Sequence, residues 1–155
     1  MDQQEALAWI DTVQAGRFEG GEVEVKAAHH GVPQRLYETL SAFANHTAGG
    51  VVILGLDEEE GFAPVGLADP QQTLAEVGDQ ASRMEPPIRL NPVVVSVDDR
   101  AVAVFVVPEC DYRSKPCYYS VTGMKGGSYI RVGNSNRQMS DYEIFTYLSA
   151  RGQPT

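Results

Sequence analysis

Charged side chains are concentrated in residues 19–26, which read EGGEVEVK. On a strand, side chains two residues apart lie on one face about 6.6 Å from one another, so Glu22, Glu24 and Lys26 would form a charged row. The two glycines allow the chain to bend, which would bring Glu19 towards this row. Clustered carboxylates repel one another unless a cation compensates them, and oxygen ligands of this kind suit Mg²⁺ or Mn²⁺. The segment predicts an acidic site; an edge strand with a solvated charged face is the alternative.

A second group of carboxylates begins at Asp57, immediately after the apolar run 51–56. Residues in loops at the ends of strands commonly form functional sites. If Asp57 faced Glu19 and Glu24, three carboxylates could hold one or two divalent ions that activate water and stabilise a phosphorane-like transition state. A polar turn without any further role is the alternative, and the sequence leaves both open.

A third candidate site lies in residues 128–137, which read SYIRVGNSNR. They predict a strand that ends in a Gly/Asn/Ser loop between two arginines, just before the N-terminus of a helix. Backbone N–H groups, the positive end of a helix and guanidinium groups all favour bound phosphate. The predicted phosphate-binding side chains, with a lysine from the preceding loop, are Lys125, Arg131, Asn134, Ser135, Asn136 and Arg137. A loop that only caps the helix is the alternative.

Four helices are predicted to support these sites, because apolar residues recur at helical spacing in four segments. The first helix spans residues 3–15, the second begins at Pro33, the third follows Asp69 and stops before Pro86, and the last begins at Ser140. Ser140 and Glu143 form the capping-box pattern at the start of the last helix. Its predicted buried face comprises Ile144, Phe145 and Leu148.

Six strands are predicted between these helices. The first is 22–26, and the second, 51–56, is continuously apolar, which is typical of a central strand buried on both faces. Two antiparallel hairpins follow, one from 93–97 and 101–107 and the other from 117–122 and 128–132. The order of elements predicts an α+β fold, a mixed, largely antiparallel sheet with helices packed on it. A chain of 155 residues suits one domain over residues 1–155.

The net charge of −9 argues at first against a nucleic-acid partner, because such binding depends on Lys and Arg at phosphates. The distribution changes this conclusion. Residues 1–112 hold 6 Lys/Arg against 19 Asp/Glu, whereas residues 113–155 hold 6 against 2. The last part of the chain therefore predicts a cationic surface beside an acidic site. An acidic solubilising surface with incidental basic residues is the alternative.

Location and redox state are predicted from what the sequence contains. The start of the chain lacks the features of a signal peptide, and the longest apolar run, Ala101 to Val107, is too short to cross a bilayer. We therefore expect a cytoplasmic protein that has no membrane partner. Cys110 and Cys117 have no histidine or third cysteine nearby, so free thiols are expected in place of a zinc site.

Three stretches resemble the Schlafen AlbA-like domain, which occurs in Schlafen proteins and at the front of many bacterial transcriptional regulators. Residues 19–26 are similar to a glutamate-containing strand of that family, residues 41–57 to its AFANT-GG-GVD core, and residues 129–137 to its R-x-G-x-S-N-R element. In ribonuclease members, two glutamates five apart and a later aspartate form a metal-dependent catalytic set. The resemblance places this set, with Mg²⁺ or Mn²⁺ as its metal, at Glu19, Glu24 and Asp57, with Lys26 in the same charged row.

Three functions are compatible with these observations. The first is a nucleic-acid-binding domain of the transcriptional-regulator type, either stand-alone or at the front of a longer regulator, which holds the phosphates of DNA, RNA or nucleotides. The second is a metal-dependent endoribonuclease that acts on structured RNA such as tRNA. The third is a protein-interaction module, including a homodimer, in which an exposed sheet edge pairs with a partner.

Overall fold

A four-stranded sheet separates two apolar layers in the computed structural model, which describes residues 1–151. The helices, in chain order, are α1 (Gln3–Gln14), α2 (Leu36–Ala44), α3 (Pro70–Ser82), α4 (Met124–Gly127) and α5 (Asp141–Arg151). The strands are β1 (Val23–Lys26), β2 (Gly50–Leu54), β3 (Leu56–Asp57), β4 (Ala63–Pro64), β5 (Met84–Glu85), β6 (Val93–Val97), β7 (Arg100–Val107), β8 (Tyr118–Tyr119), β9 (Tyr129–Val132) and β10 (Ser135–Gln138). No helix in this part of the chain is long and apolar enough to span a membrane.

The strand order of the main sheet is β1-β2-β7-β6. β1 runs parallel to β2, whereas β2 with β7 and β7 with β6 are antiparallel pairs. Every residue of β2 is buried, because this strand lies between two others and both faces of the sheet are covered. The predictions of a central strand here and of a mixed α+β fold are confirmed.

Alternation of side chains along the strands divides the core into two layers. On one face, α1 packs through Ala6, Ile10 and Val13 against the valines of β1. On the other face, α2 and α3 pack through an apolar set that comprises Leu36, Leu40, Phe43, Ala44, Val77 and Ala81. Burial of one large apolar side chain contributes about 1.5–3 kcal/mol, so these contacts fix the position of the sheet between the helices. The helix predicted to begin at Pro33 is present as α2, and it begins three residues later, at Leu36.

β6 and β7 form the predicted antiparallel hairpin, joined by Asp98 and Asp99. Both turn residues have positive φ, 50° and 60°, and the resulting two-residue turn matches the twist of the flanking strands. Val97 and Arg100 close the ladder. Arg100, predicted in the turn, is therefore the first residue of β7.

The second predicted hairpin, between 117–122 and 128–132, is wrong. β8 pairs with β5, and β9 pairs with β10 across the turn at Gly133 and Asn134. A single bridge, Tyr118 with Ser128, joins the two segments that were expected to pair. Gly-Asn between two extended runs is itself a signal for a tight hairpin. The loop that was expected to precede a helix directly is thus the turn between two strands.

The N-terminus of α5 is confirmed and its buried face is corrected. The Ser140 N–H donates to the Glu143 carboxylate at 2.9 Å, and the Glu143 N–H donates to the Ser140 hydroxyl at 3.1 Å. Ile144 is buried, but Phe145 is 64% exposed and Leu148 is 39% exposed. The helix contacts the segment before β8 through the Tyr147 ring, which meets that of Tyr112, and through the Arg151 guanidinium, which donates to two carbonyl groups there. Long polar side chains therefore occupy the contact face that apolar residues were expected to fill.

Candidate nucleic-acid interface

Arg131 of β9 is the centre of a buried hydrogen-bond network. Its Nη2 atom lies 2.7 Å from a carboxylate oxygen of Glu24 and donates at 2.7 Å to the carbonyl of Gly20. Further donations reach the carbonyl of Val23 at 3.2 Å and the side-chain oxygen of Asn136 at 2.8 Å. Only 1% of the Arg131 side chain is exposed. Its guanidinium also stacks over the Phe43 ring at 4.8 Å, so both faces and edges of this group meet protein.

This arrangement corrects the role predicted for Arg131. A guanidinium has five N–H donors in a fixed plane, and here they are directed at β1, at the preceding loop and at β10. Arg131 therefore cannot bind a phosphate in this structure. It fixes the β9–β10 hairpin against β1, which makes it a positioning residue.

Glu24 is held by two cations. One carboxylate oxygen lies 2.7 Å from Arg131 and the other lies 3.2 Å from the Nζ atom of Lys26. The Glu24 side chain is 13% exposed, whereas that of Lys26 is 45% exposed. Because each oxygen already has a positive partner, Glu24 is a poor ligand for a metal ion here.

The predicted set of three carboxylates does not form a metal site among the described residues. Asp57 caps the short 3₁₀ turn that follows it by accepting the Glu59 N–H at 3.0 Å, and Glu19 is exposed on the loop before β1. Within residues 1–151, no group of three or more His, Cys, Asp or Glu side chains lies in a position to hold a metal. The residues therefore do not fit the predicted Mg²⁺ or Mn²⁺ site.

A cleft of about 480 Å³ lies beside β1. The β9–β10 turn borders it on one side, and Glu58 and Phe62 border it on the other. Phe62 also meets Phe18 edge to face, with 5.5 Å between the ring centroids. Glu24 and Lys26 also line it, so the cleft combines an ion pair with an aromatic pair.

The hairpin turn closes onto β1 because of Gly20. A Cβ atom at Gly20 would lie 2.5 Å from the Cβ atom of Asn134, which is closer than real side chains approach. The neighbouring Gly21 would meet only ordinary contact, at 3.6 Å from the carbonyl oxygen of Gly133. A glycine is thus required at one of these two positions for the hairpin to pack where it does.

The remaining predicted phosphate ligands of the hairpin divide into an exposed and an inner group. Asn134 and Ser135 are exposed at the turn. Asn136 points inward, where it accepts from Arg131 and donates to the Thr39 hydroxyl at 2.9 Å. The turn therefore presents two polar side chains to solvent, and the residue after them secures it to α2.

Lys125 and Arg137 lie on either side of the α5 N-terminus. Lys125 is 3.5 Å from Asp141, and Arg137 makes a bidentate pair with Glu143 at 3.1 and 2.9 Å. Both carboxylates belong to the first turn of α5. The structure thus brings the two cations to the first turn of α5, where their side chains are 83% and 52% exposed.

Among residues 113–151, which the structure describes, several of the basic side chains are buried or bound to other groups of the protein. Besides Arg131, Lys115 is only 4% exposed and pairs with Glu109 at 2.7 Å. The Arg151 guanidinium is used in hydrogen bonds to backbone carbonyls. Lys125 and Arg137 are exposed and each has a carboxylate neighbour, so the count of charges along the sequence overstated the cationic surface.

Ser41 of α2 and Asn45, the C-cap of that helix, also hold the hairpin, although the sequence alone did not indicate this role. The Ser41 hydroxyl accepts the Tyr129 N–H at 2.9 Å and donates to the Cys117 carbonyl at 2.7 Å. The Asn45 amide donates at 3.0 Å to the Tyr129 carbonyl and accepts the Cys117 N–H at 2.7 Å. Both are buried, and their spacing of four residues on a largely apolar helix was the signal that could have identified them.

Comparisons with known proteins agree with this architecture. The solution structure of the N-terminal domain of a RecG-related protein from Nitrosomonas europaea matches with a TM-score of 0.64 and 31% identity, over 87% of this chain and 93% of that one. The crystal structure of the DIP2311 protein from Corynebacterium diphtheriae matches with a TM-score of 0.61 and 17% identity, over 97% of this chain but 33% of that one, which shows the shared fold alone. No curated protein matches the chain. Residues 19–140 match the model of the Schlafen AlbA_2 family, and the chain belongs to that family.

Proposed function

We propose that this chain is a nucleic-acid-binding domain whose contact element is the β9–β10 hairpin together with Lys125. Membership of the Schlafen AlbA_2 family associates the chain with nucleic acid at a general level. The similar domain from Nitrosomonas europaea belongs to a protein whose name relates it to an ATP-dependent DNA helicase. A regulatory role at DNA is the form of this function that we favour.

The anchoring of an exposed turn by a buried arginine carries this proposal. Arg131 uses its whole guanidinium group to hold the hairpin, and Asn136, Ser41 and Asn45 add further buried hydrogen bonds. Binding residues are commonly placed on loops that a rigid scaffold positions. A turn that is fixed this firmly and still presents polar side chains to solvent has the properties of a contact element.

We assign the phosphate contacts to the exposed residues of the hairpin and to Lys125. Asn134 and Ser135 would donate hydrogen bonds from the turn, and Lys125 and Arg137 would supply charge. The ion pairs that these cations now make are exposed, and such pairs contribute only about 0–1 kcal/mol. A phosphate can therefore replace the carboxylates at little cost.

Lys125 and Arg137, the two cations assigned to the contact element, set the expected salt dependence. For duplex DNA, log K falls with log salt by about 0.9 for each phosphate that is neutralised, so we expect a slope of about −2. The net charge of −9 opposes a polyanion at long range. Binding should therefore be weak and measurable only at low ionic strength.

Fluorescence anisotropy with labelled single-stranded and duplex DNA and RNA at low salt tests this proposal. The double substitution Lys125→Ala with Arg137→Gln should abolish binding or weaken it by about tenfold or more, which corresponds to about 1.4 kcal/mol. Arg83→Gln is the matched control, because Arg83 is also 52% exposed and paired with a carboxylate, Asp79 at 3.3 Å, on α3. Equal affinity of the double variant and the wild type would remove the hairpin as the contact element.

Endoribonuclease activity at Glu19, Glu24 and Asp57 stays a prediction. Two cations hold Glu24, and Asp57 serves as a cap, so the arrangement gives this activity no support. Incubation of tRNA with Mn²⁺ and comparison with Glu24→Ala tests it, and equal cleavage by the two proteins would remove the assignment.

A further inference from the structure

The outer edge of β6 offers backbone groups for pairing. β6 is the last strand of the sheet and pairs with β7 on one side. Because a two-residue turn joins them, Val97 and Arg100 form a hydrogen-bonded pair, and such pairs then alternate along an antiparallel ladder. Val95 and Val93 are thus also bonded to β7. The N–H and C=O groups of Val94 and Ser96 point away from it.

This edge lacks the features that usually block strand addition. Natural edge strands carry charged side chains, proline or bulges that prevent pairing with another chain. β6 reads VVVSV, and its register with β7 continues without interruption over all five residues. A regular, uncharged, valine-rich edge is either a site of unwanted aggregation or an interface with a partner.

We propose that β6 pairs with β6 of a second copy of this chain about a two-fold axis at Val95, which makes one sheet of eight strands. The pairing is antiparallel, with Val94 opposite Ser96 of the other copy. Each of these residues donates its N–H to the carbonyl of its opposite number. Four backbone hydrogen bonds result, and a two-fold interface of this kind is self-complementary by construction.

The neighbouring residues select this register. Pro92 has no N–H, so a shift that placed Pro92 opposite Ser96 would leave the Ser96 carbonyl of each copy without a donor. A shift in the other direction would place Val94 opposite Asp98, which has the positive φ of a turn. The register centred on Val95 is the one that uses all four outward groups.

Charge and shape at the edge favour an antiparallel second copy. The acidic turn, Asp98 and Asp99, follows β6, whereas the exposed Arg89 precedes it. An antiparallel pair brings the acidic end of each copy to the basic end of the other. A groove of about 620 Å³ runs along the same edge and includes Leu7 of α1, which is 41% exposed. Across the axis this apolar side chain would face the second copy.

Ser96→Pro tests the pairing because it removes one outward N–H and no hydrogen bond to β7. Proline is tolerated on an edge strand where its nitrogen faces solvent. Sedimentation velocity from micromolar to millimolar concentration should find a monomer–dimer equilibrium for the wild type and for Ser96→Thr, and a dissociation constant at least tenfold higher for Ser96→Pro. A wild type that stays monomeric throughout, or an unchanged dimer of Ser96→Pro, would overturn the proposal.

A cysteine at the axis tests the register independently of proline. Directly opposed residues of a non-hydrogen-bonded pair have Cα atoms about 4.5 Å apart, which is within the range of a disulfide. In a Cys110→Ser background, Val95→Cys should give a covalent dimer on mild oxidation. Val97→Cys is the matched control, because its opposite number is Val93, and it should give none. Equal cross-linking of the two variants would reject the axis at Val95, while retained nucleic-acid binding in Ser96→Pro keeps this question separate from the proposed function.

Discussion

The two edges of the main sheet are built in opposite ways. At β1, charged side chains alternate with the buried valines, and the carbonyl of Val23 accepts a hydrogen bond from Arg131. The β9–β10 turn packs against the preceding loop at Gly20. At β6, the strand is uncharged and regular, and its outer backbone groups face away from the sheet.

The side chains at the two edges suit them to different tasks. The β1 edge supports the cleft and the exposed turn, whereas the β6 edge is open to pairing with another strand. The β1 edge, here called the covered edge, carries an ion pair, and the hairpin occupies its Val23 carbonyl through Arg131 and packs on the loop before it. Both features oppose the addition of another strand. The covered edge can thus support a cleft and an exposed turn without the risk of self-association there. The open edge, β6, has no such protection. Pairing with the same edge of a second copy would provide hydrogen-bond partners for its outward N–H and C=O groups.

Removal of Arg131 should have the largest effect on the covered edge. Arg131→Met leaves the Glu24 carboxylate and the carbonyls of Gly20 and Val23 without their donor, and loss of one partner of a buried pair costs about 3–5 kcal/mol. Urea denaturation should measure this loss in the free energy of unfolding. The double variant with Glu24→Gln should recover part of it, and a loss below about 1 kcal/mol in Arg131→Met would contradict the role assigned to this residue.

A smaller loss is expected from crowding the contact between the loop and the hairpin. Gly20→Ala places a Cβ atom 2.5 Å from that of Asn134, and such overpacking costs about 1–3 kcal/mol. Gly21→Ala is the control, since its Cβ meets nothing closer than 3.6 Å. Thermal denaturation of both variants should separate them, and equal melting temperatures would show that the hairpin does not pack here.

Acid should destabilise the contact between Arg137 of the same hairpin and Glu143, and the loss of stability should be smaller than that from Gly20→Ala. The hydrogen bonds from Arg137 and then from the Ser140 N–H hold the pKa of the Glu143 carboxyl below its usual range. A lowered pKa stabilises the folded state above the ordinary value of about 4.3, and this contribution is lost as the pH falls through the folded value. Because the pair is exposed, we expect at most about 1 kcal/mol. Denaturation between neutral and acidic pH should give a shallower decline for Arg137→Gln, and identical profiles would refute the coupling.

The smallest effect on stability is expected at the open edge. Ser96 is exposed, and substitutions at such positions usually change the free energy of unfolding by less than about 0.5 kcal/mol. Ser96→Lys should therefore leave the monomer as stable as the wild type while the like charges at the edge weaken dimer formation. A loss of monomer stability above about 1 kcal/mol, measured by urea denaturation at low protein concentration, would mean that β6 depends on contacts within the chain that a charge disturbs.

The sequence predicted those features that local patterns encode. The apolar run of β2, the alternation in β1 and the capping box of Ser140 and Glu143 all depend on neighbours in the chain, and each was confirmed. The role of Arg131 could not be predicted in this way. Its hydrogen-bond partners Gly20 and Val23 lie 111 and 108 residues away, and residue type alone suggested a phosphate ligand.

The candidate site was also misjudged where tertiary contacts outweigh periodicity. Phe145 matches the helical spacing of Ile144 but points to solvent, because Tyr147 and Arg151 make the contact in its place. Asp57 was predicted to follow a strand, as a metal ligand would; it is the last residue of β3, and its side chain accepts a hydrogen bond from the Glu59 N–H. Short polar residues at strand ends often bind their own backbone, and the sequence does not distinguish that outcome from a site.

The hydrogen bonds of Ser41 and Asn45 have a consequence for solvent exchange. The amide protons of Cys117 and Tyr129 end on side chains of α2 and not on a neighbouring strand. Their replacement by deuterium therefore requires that the C-terminal end of this helix, with its cap residue Asn45, separate from β9 and from the segment before β8. These two amides report the opening of a helix that lies more than seventy residues earlier in the chain.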